Sequence, residues 1–129
     1  EGSELMSWKN IIKISKNFTE PREILEAVTK WFKESGMEYV QIRKQILNDN
    51  KLEYDFPFNQ EVKEAYSENE LRPEKITFNS YIRMVLEKDG WKAAGLMGKG
   101  SGGGNPKFDI TANGLKITFP ANIKDFIRK

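Results

Sequence analysis

Apolar residues repeat at helical spacing most clearly between Thr19 and Gly36. Five apolar side chains fall at i, i+1, i+4, i+7 and i+8 in this stretch, which places them on one helical face: Ile24, Leu25, Val28, Trp31 and Phe32. Thr19 is a candidate N-cap, Pro21 suits the first helical turn, and Ser35-Gly36 ends the pattern. We therefore predict a helix that buries its two aromatic residues in the core.

Four further stretches favour helices. The apolar residues of the stretch 7–18 are Trp8, Ile11, Ile12, Ile14 and Phe18. Their spacing matches either a helical turn or a strand, and we favour a short helix that docks on the domain. Residues 37–47 have apolar side chains at i, i+3 and i+7, and they could form a helix–turn–helix with the preceding helix. The polar side chains of this stretch are Gln41, Arg43, Lys44 and Gln45. They either contact phosphates and bases of DNA or form an ordinary solvated helix face. Residues 59–70 are acidic with apolar residues on one side, and residues 121–129 predict a short terminal helix.

The stretch 76–97 predicts a helix followed by a short buried segment. Its apolar stripe of helical width contains Tyr81, Ile82, Val85 and Leu86. Asn79 or Ser80 is a candidate cap for the start of this helix, and Gly90 is placed to end it in a left-handed turn. Trp91 follows among small apolar residues, so we expect it to anchor the core.

Alternating apolar and polar residues predict three strands. Residues 52–58 alternate in this way, and Pro57 confines the strand to a sheet edge or an extended loop. Residues 108–110 and 115–119 also alternate, and the turn between them is Ala112-Asn113-Gly114.

These elements predict an α+β fold with three or four helices and a small antiparallel sheet. A chain of 129 residues has the size of one domain and can bury a core. We assign residues 20–119 to that core and residues 1–6 to a remnant of cloning. The glycine-rich stretch 98–107 does not suit a regular element, and it forms either a wing or hairpin tip or a plain surface loop.

The chain contains neither cysteine nor histidine. This excludes disulfides, thiolate nucleophiles, Ser-His and Cys-His pairs, and metal sites that use either side chain. We therefore predict no enzyme activity, no metal and no cofactor. No apolar run approaches the roughly 20 residues of a membrane helix, and no secretory leader is present, so we expect a cytoplasmic protein without membrane contact.

Two motifs look like enzyme sites but lack the required context. Asp55 with Glu61-Val62-Lys63 formally matches the acids and lysine of a metal-dependent nuclease, yet Glu61 falls in a predicted helix. The stretch 98–104 has the glycines of a phosphate loop, but its lysine precedes them and a strand follows. We therefore rank nuclease activity last and reject nucleotide binding.

The net charge of +2 conceals an uneven distribution. Residues 1–70 contain 10 basic and 14 acidic residues, a net charge of −4, whereas residues 71–129 contain 11 basic and 5 acidic residues, a net charge of +6. Either the basic half faces a polyanion, or the charges segregate on a solvated surface without function.

The basic half also resembles a known family. Residues 83–97 (RMVLEKDGWKAAGLM) and 104–117 (GNPKFDITANGLKI) resemble the end of a winged-helix domain, where a helix leads into a wing and then a strand with a Thr-x-x-Gly turn. Ile110–Gly114 fits that turn. The nearest family is the N-terminal DNA-binding domain of Mrr-type restriction endonucleases.

This resemblance implies DNA binding, with the helix 78–88 in the major groove and residues 98–107 as the wing. The residues that it implies are Asn79, Ser80, Tyr81 and Arg83 on the helix and Lys99, Asn105 and Lys107 in the wing. Lys88 and Lys92 are further candidates beside them.

We therefore predict a non-catalytic module that binds double-stranded DNA, within a restriction or defence protein. The alternative is a protein–protein interaction module or a small inhibitor protein that uses the acidic stretch 53–70. A further domain or a protein partner is compatible with either function. The dependence of affinity on salt separates the two, because only phosphate contacts weaken steeply with salt.

Overall fold

The computed structural model describes residues 20–70, 76–97 and 105–127. It confirms the α+β class, with four helices of 11 to 14 residues, one short helix and a three-stranded antiparallel sheet in these residues. In chain order the elements are α1 (Pro21–Glu34), α2 (Tyr39–Asp49), β1 (Glu53–Pro57), α3 (Gln60–Glu70), α4 (Phe78–Asp89), β2 (Lys107–Thr111), β3 (Gly114–Thr118) and α5 (Ile123–Ile127). The predicted helix at 7–18 and the Thr19 cap lie outside the described residues.

Helix α1 forms where its apolar pattern predicted it. It begins at Pro21, and Glu20 takes the N-cap position with extended backbone and no side-chain capping bond. Four of the five predicted core residues are buried, and Leu25 is half-buried. The chain leaves the helix through Gly36, whose φ of 72° is a left-handed conformation that glycine adopts without steric cost.

Helices α1, α3 and α4 pack together, with α1 against both of the others. Aromatic rings fill the junction between these helices and the end of β1. The Phe58 ring lies 5.0 Å from Trp31 and 5.7 Å from Phe78, and the Trp31 indole donates a hydrogen bond of 2.9 Å to the Pro57 carbonyl. This junction fixes α4 to the rest of the domain at its first residue.

The sheet has the strand order β1–β3–β2, so β1 and β2 are its edges. Its inner face carries the apolar side chains of the three strands: Tyr54, Phe56, Phe108, Ile110, Leu115 and Ile117. The predicted strands, the turn between β2 and β3 and the edge position of Pro57 are confirmed.

The tip of the β2–β3 hairpin is Ala112–Asn113. The stretch 98–107, which we predicted to form either a wing or hairpin tip or a plain surface loop, therefore precedes the hairpin instead of connecting its strands. Lys107 is the first residue of β2, and residues 98–104 lie outside the described part of the chain. The hairpin itself offers only a tight two-residue turn.

A second aromatic cluster ties the end of α4 to the sheet. Gly90 ends α4 with φ of 101°, as predicted, and the following residues form turns instead of a regular element. Trp91 is fully buried, and its ring centroid lies 6.1 Å from those of Tyr39, Phe108 and Phe119. Both ends of α4 are thus anchored by aromatic contacts.

Tyr54 gives the fold a dependence on alkaline pH. Its hydroxyl donates a hydrogen bond of 2.9 Å to the Lys51 carbonyl. Burial, reinforced by the negative charge of Asp49, raises the pKa of Tyr54 to about 12. An unfolded tyrosine ionises near pH 10, so the unfolded state loses this proton first. The stabilisation is therefore complete below pH 10 and is lost as the pH rises through about 12.

We expect Tyr54→Phe to lower the free energy of unfolding by about 1 kcal/mol at neutral pH, because the hydrogen bond to Lys51 is lost. Between pH 10 and 12 the wild type should then lose stability more steeply than the variant, since only the wild type ionises at this position. Urea unfolding across this range measures both effects. Parallel pH profiles for the two proteins would contradict the assignment, because all other titrating groups are shared.

Candidate nucleic-acid interface

Helix α4 presents the predicted DNA-contacting residues on two different faces. Its buried residues are Phe78, Tyr81, Ile82, Val85 and Leu86. Asn79 and Arg83 lie on the exposed face, one turn apart. Tyr81 is only 4% exposed, and its ring centroid lies 6.4 Å from that of Phe78. The prediction that Tyr81 enters a DNA groove is therefore wrong, because this side chain belongs to the core.

The first turn of α4 differs from the predicted cap. Thr77 takes the N-cap position, with extended backbone and no side-chain bond to the helix amides. Asn79 and Ser80 lie inside the helix, so neither of them caps it. Ser80 is half-buried, and its hydroxyl lies 3.2 Å from the Thr77 hydroxyl. Asn79 is exposed, and its amide is therefore accessible from solvent.

A cleft of about 430 Å³ opens beside this first turn. Its polar walls come from the end of α3 and the start of α4: Asn69, Glu70, Thr77 and Asn79. Ile110 of β2 closes the cleft. Burial, together with the charge and hydrogen bond of Glu70, raises the pKa of Tyr66 in the same cleft. The cleft offers amide and hydroxyl groups that can pair with base edges, whereas Glu70 repels phosphate.

The cations of the basic half differ in their surroundings. Lys92 forms an ion pair of 3.4 Å with Glu87, and Lys107 forms one of 3.8 Å with Asp109. Within the described residues, Arg83 and Lys88 take part in no ion pair. Lys88 lines a groove between α1 and α4, so Arg83 is the unpaired cation that shares its face with Asn79.

The outer face of the sheet is not a basic surface. Lys116 lies in the central strand, opposite Asp55 of β1 and Asp109 of β2. Its ammonium group forms an ion pair of 3.4 Å with Glu53. Acidic and basic side chains thus alternate on this face, and the excess positive charge of the second half does not collect there. Lys107 belongs to this face instead of to the exposed face of α4.

The two other predicted wing residues are Asn105 and Lys99. Asn105 is half-buried next to the buried Pro106, and Lys99 lies outside the described residues. In the alternative helix–turn–helix made of α1 and α2, Lys44 is exposed, whereas Arg43 is half-buried. The Nε atom of Arg43 donates a hydrogen bond of 2.7 Å to the Ile127 carbonyl, which ties α2 to α5.

The acids of the nuclease motif lie on two different elements of the described part of the chain. Asp55 is on the outer face of β1, whereas Glu61 is on α3 and lies 3.9 Å from Lys30. Val62, between Glu61 and Lys63, is fully buried. No group of three acidic residues among the described residues could hold a metal ion.

Sequence patterns missed two features that the fold assembles. The polar cleft joins Asn69 and Thr77 to Asn79, although these residues come from different elements. The groove between α1 and α4 exposes Met84, with 42% of its surface accessible. The position of Met84 on the polar side of the α4 stripe was the only sequence signal for this exposure.

The described helices include none that is both long and apolar enough to cross a membrane. A scan of protein-family models found no match to this chain, and comparisons with curated proteins and with solved structures found none either.

Proposed function

We propose that this chain is a non-catalytic module that binds double-stranded DNA through the exposed face of α4. The observation that carries the proposal is the pair Asn79 and Arg83, which is exposed on one helical face with Arg83 free of carboxylate partners among the described residues. Side chains at i and i+4 are neighbours, about 6 Å apart at their Cβ atoms. A single groove of DNA can therefore accommodate both.

The chemistry of the two side chains suits base recognition. Arginine pairs with the two acceptors of guanine in the major groove, and asparagine pairs with the acceptor and donor of adenine. Ser80 and the cleft residues Asn69 and Thr77 add hydrogen-bonding groups beside them. Lys88 and Lys92 contribute positive charge at the other end of α4, although Glu87 offsets that of Lys92.

The order of elements supports the same proposal. Helices α3 and α4 follow one another, and the β2–β3 hairpin comes next with β1 completing the sheet. The resemblance to winged-helix domains implies that a helix at the position of α4 enters the groove. In the context that we propose, the Mrr-like module recognises DNA for a restriction or defence protein.

Arg83→Ala tests the proposal directly. We expect the affinity for a labelled random-sequence duplex to fall by about tenfold at low salt, because a cation aimed at the groove is lost. The wild-type affinity should also fall steeply between low and near-physiological salt. Fluorescence anisotropy measures both quantities.

Lys116→Ala is the matched control for this experiment. Like Arg83→Ala, it removes one positive charge, but from the outer face of the sheet, where Lys116 forms an ion pair with Glu53. We expect its affinity to stay within about twofold of the wild type, since exposed ion pairs contribute little. Equal losses for both variants would show a non-specific charge effect. Absence of binding by the folded wild type at low salt would exclude DNA as the ligand.

A further inference from the structure

The cleft beside the first turn of α4 has the size of a small-molecule site. Its volume of about 430 Å³ lies within the range of roughly 300–1,000 Å³ that such sites occupy. Its aromatic wall is the half-buried Tyr66, whose ring lies 6.3 Å from that of Phe58 and 5.2 Å from that of Phe78. The half-buried Ile76 and Ile110 complete the apolar lining. A flat ring can therefore pack against Tyr66 inside the cleft.

The polar lining of the cleft contains one acid and no cation among the described residues. This acid is the exposed Glu70, whose carboxylate accepts a hydrogen bond from the Tyr66 hydroxyl. Burial raises the pKa of Tyr66, and the charge and the hydrogen bond of Glu70 raise it further, so the phenol stays a neutral donor. Asn69, Thr77 and Asn79 supply amide and hydroxyl groups beside the carboxylate. The cleft thus combines a restrained acceptor with groups that both donate and accept.

These groups select the chemistry of a ligand. A carboxylate repels phosphates and other carboxylates, but it accepts a hydrogen bond from an amino group. Asparagine pairs with the neighbouring donor and acceptor of adenine, and an acidic side chain accepts from the amino group of cytosine. Thymine presents a carbonyl oxygen where these bases present the amino group, so Glu70 disfavours it. The aromatic wall and the polar groups are together complementary to a base that carries an amino group.

The shape of the cleft determines how such a base reaches it. A base inside a duplex is stacked and paired, so a side chain that reads it must protrude into a groove. Tyr66 and Asn69 instead line a recess between α3 and α4, which only a group that protrudes from the DNA can enter. Asn79 lines the same recess and shares the exposed face of α4 with Arg83. An unpaired base beside a duplex on α4 is therefore within reach of the cleft.

We propose that the cleft binds one unpaired nucleobase that carries an amino group, either adenine or cytosine. The base stacks on Tyr66, and its amino group donates a hydrogen bond to Glu70. The Asn79 amide donates one to the neighbouring ring nitrogen. The base comes either from a strand of bound DNA or from a free nucleoside. The first source rests on the proposed function in DNA binding, whereas the second does not.

Three duplexes that differ at one position test the proposal. The first is fully paired, the second contains one extra, unpaired adenine, and the third contains one extra, unpaired thymine. An unpaired base avoids most of the cost of leaving the stack, and the thymine duplex controls for bending at the extra nucleotide. We expect the wild type to bind the adenine duplex about tenfold more tightly than the thymine duplex, as measured by fluorescence anisotropy.

Glu70→Gln and Glu61→Gln are matched variants, because each replaces one exposed acid of α3 by its amide. Glu61 forms an ion pair with Lys30 and does not line the cleft. We expect Glu70→Gln to reduce the ratio of the adenine to the thymine affinity to about twofold or less, and Glu61→Gln to leave this ratio unchanged. The ratio is independent of the general gain in affinity that follows the loss of a negative charge.

The results distinguish a failure of this proposal from a failure of the proposed function. Equal binding of all three duplexes by the wild type would overturn the base site and leave DNA binding by α4 intact. An adenine preference that Glu70→Gln leaves unchanged would also overturn the base site.

If the folded wild type binds no duplex at low salt, isothermal titration calorimetry with adenosine and with thymidine decides. Binding of adenosine alone, abolished by Glu70→Gln, would support the cleft with a free nucleoside as its ligand. Absence of adenosine binding would overturn the proposal together with the proposed function.

Discussion

Replacing Trp91 with alanine should lower the free energy of unfolding by about 3–5 kcal/mol. Trp91 is fully buried and joins Tyr39 of α2 to Phe108 of the edge strand β2 and to Phe119, which follows the central strand β3. Its removal leaves a cavity that these rings cannot fill, because they belong to three separate elements. Urea unfolding followed by circular dichroism measures the change without depending on tryptophan fluorescence.

Phe126→Ala is the matched control, because Phe126 is an aromatic residue with 41% of its surface exposed. We expect Phe126→Ala to lower the free energy of unfolding by less than about 1 kcal/mol.

Trp91→Phe provides a second comparison. The indole nitrogen of Trp91 is buried without a hydrogen-bond partner in the described part of the chain, so phenylalanine removes an unsatisfied donor and keeps most of the ring contacts. A loss as large as that of Trp91→Ala would contradict this account of the cluster.

Gly114→Ala is the second substitution with a large expected effect. A Cβ atom at this position would lie 2.6 Å from the Phe56 carbonyl oxygen and 2.8 Å from the Pro57 Cα atom. Both atoms belong to the backbone of β1, which pairs with β3 at this point, so they cannot move aside as a side chain would. We expect β1 to be pushed from β3 and the free energy of unfolding to fall by about 3 kcal/mol.

Gly95→Ala separates this steric effect from the general cost of replacing glycine. Gly95 has a φ of 80°, but a Cβ atom there would meet nothing within 4 Å. Its replacement should therefore cost only the backbone strain of a left-handed residue, about 1–2 kcal/mol. Thermal and urea unfolding of the two variants give the comparison. If the Gly114→Ala variant were as stable as the Gly95→Ala variant, β1 and β3 could separate locally without lowering the free energy of unfolding.

Local patterns were sufficient for most of the fold. The spacing around Trp31 located α1, and the alternation on both sides of Ala112–Asn113 located β2 and β3. Pro57 predicted an edge strand because it cannot donate to a neighbouring strand. These signals succeeded because helical and strand periods depend only on residues close together in sequence.

The candidate interface was less predictable, because it depends on which elements become neighbours. The α4 periodicity already grouped Tyr81 with Val85 on the apolar stripe, and only the family resemblance assigned it to DNA. The carboxylate partner of Lys116 comes from a strand more than 60 positions earlier, so no local pattern could reveal it. The cleft at Asn79 and the groove at Met84 likewise require three-dimensional packing.

The edges of the sheet bear on how the protein behaves when many copies are crowded together. Unpaired strand edges recruit further strands and initiate fibril growth. Pro57 has no N–H group to offer, and its carbonyl oxygen is taken by the Trp31 indole. Both edge strands are only five residues long and carry charges: Glu53 and Asp55 on β1, Lys107 and Asp109 on β2. The sheet therefore presents a poor template for an incoming chain, which opposes intermolecular β-aggregation.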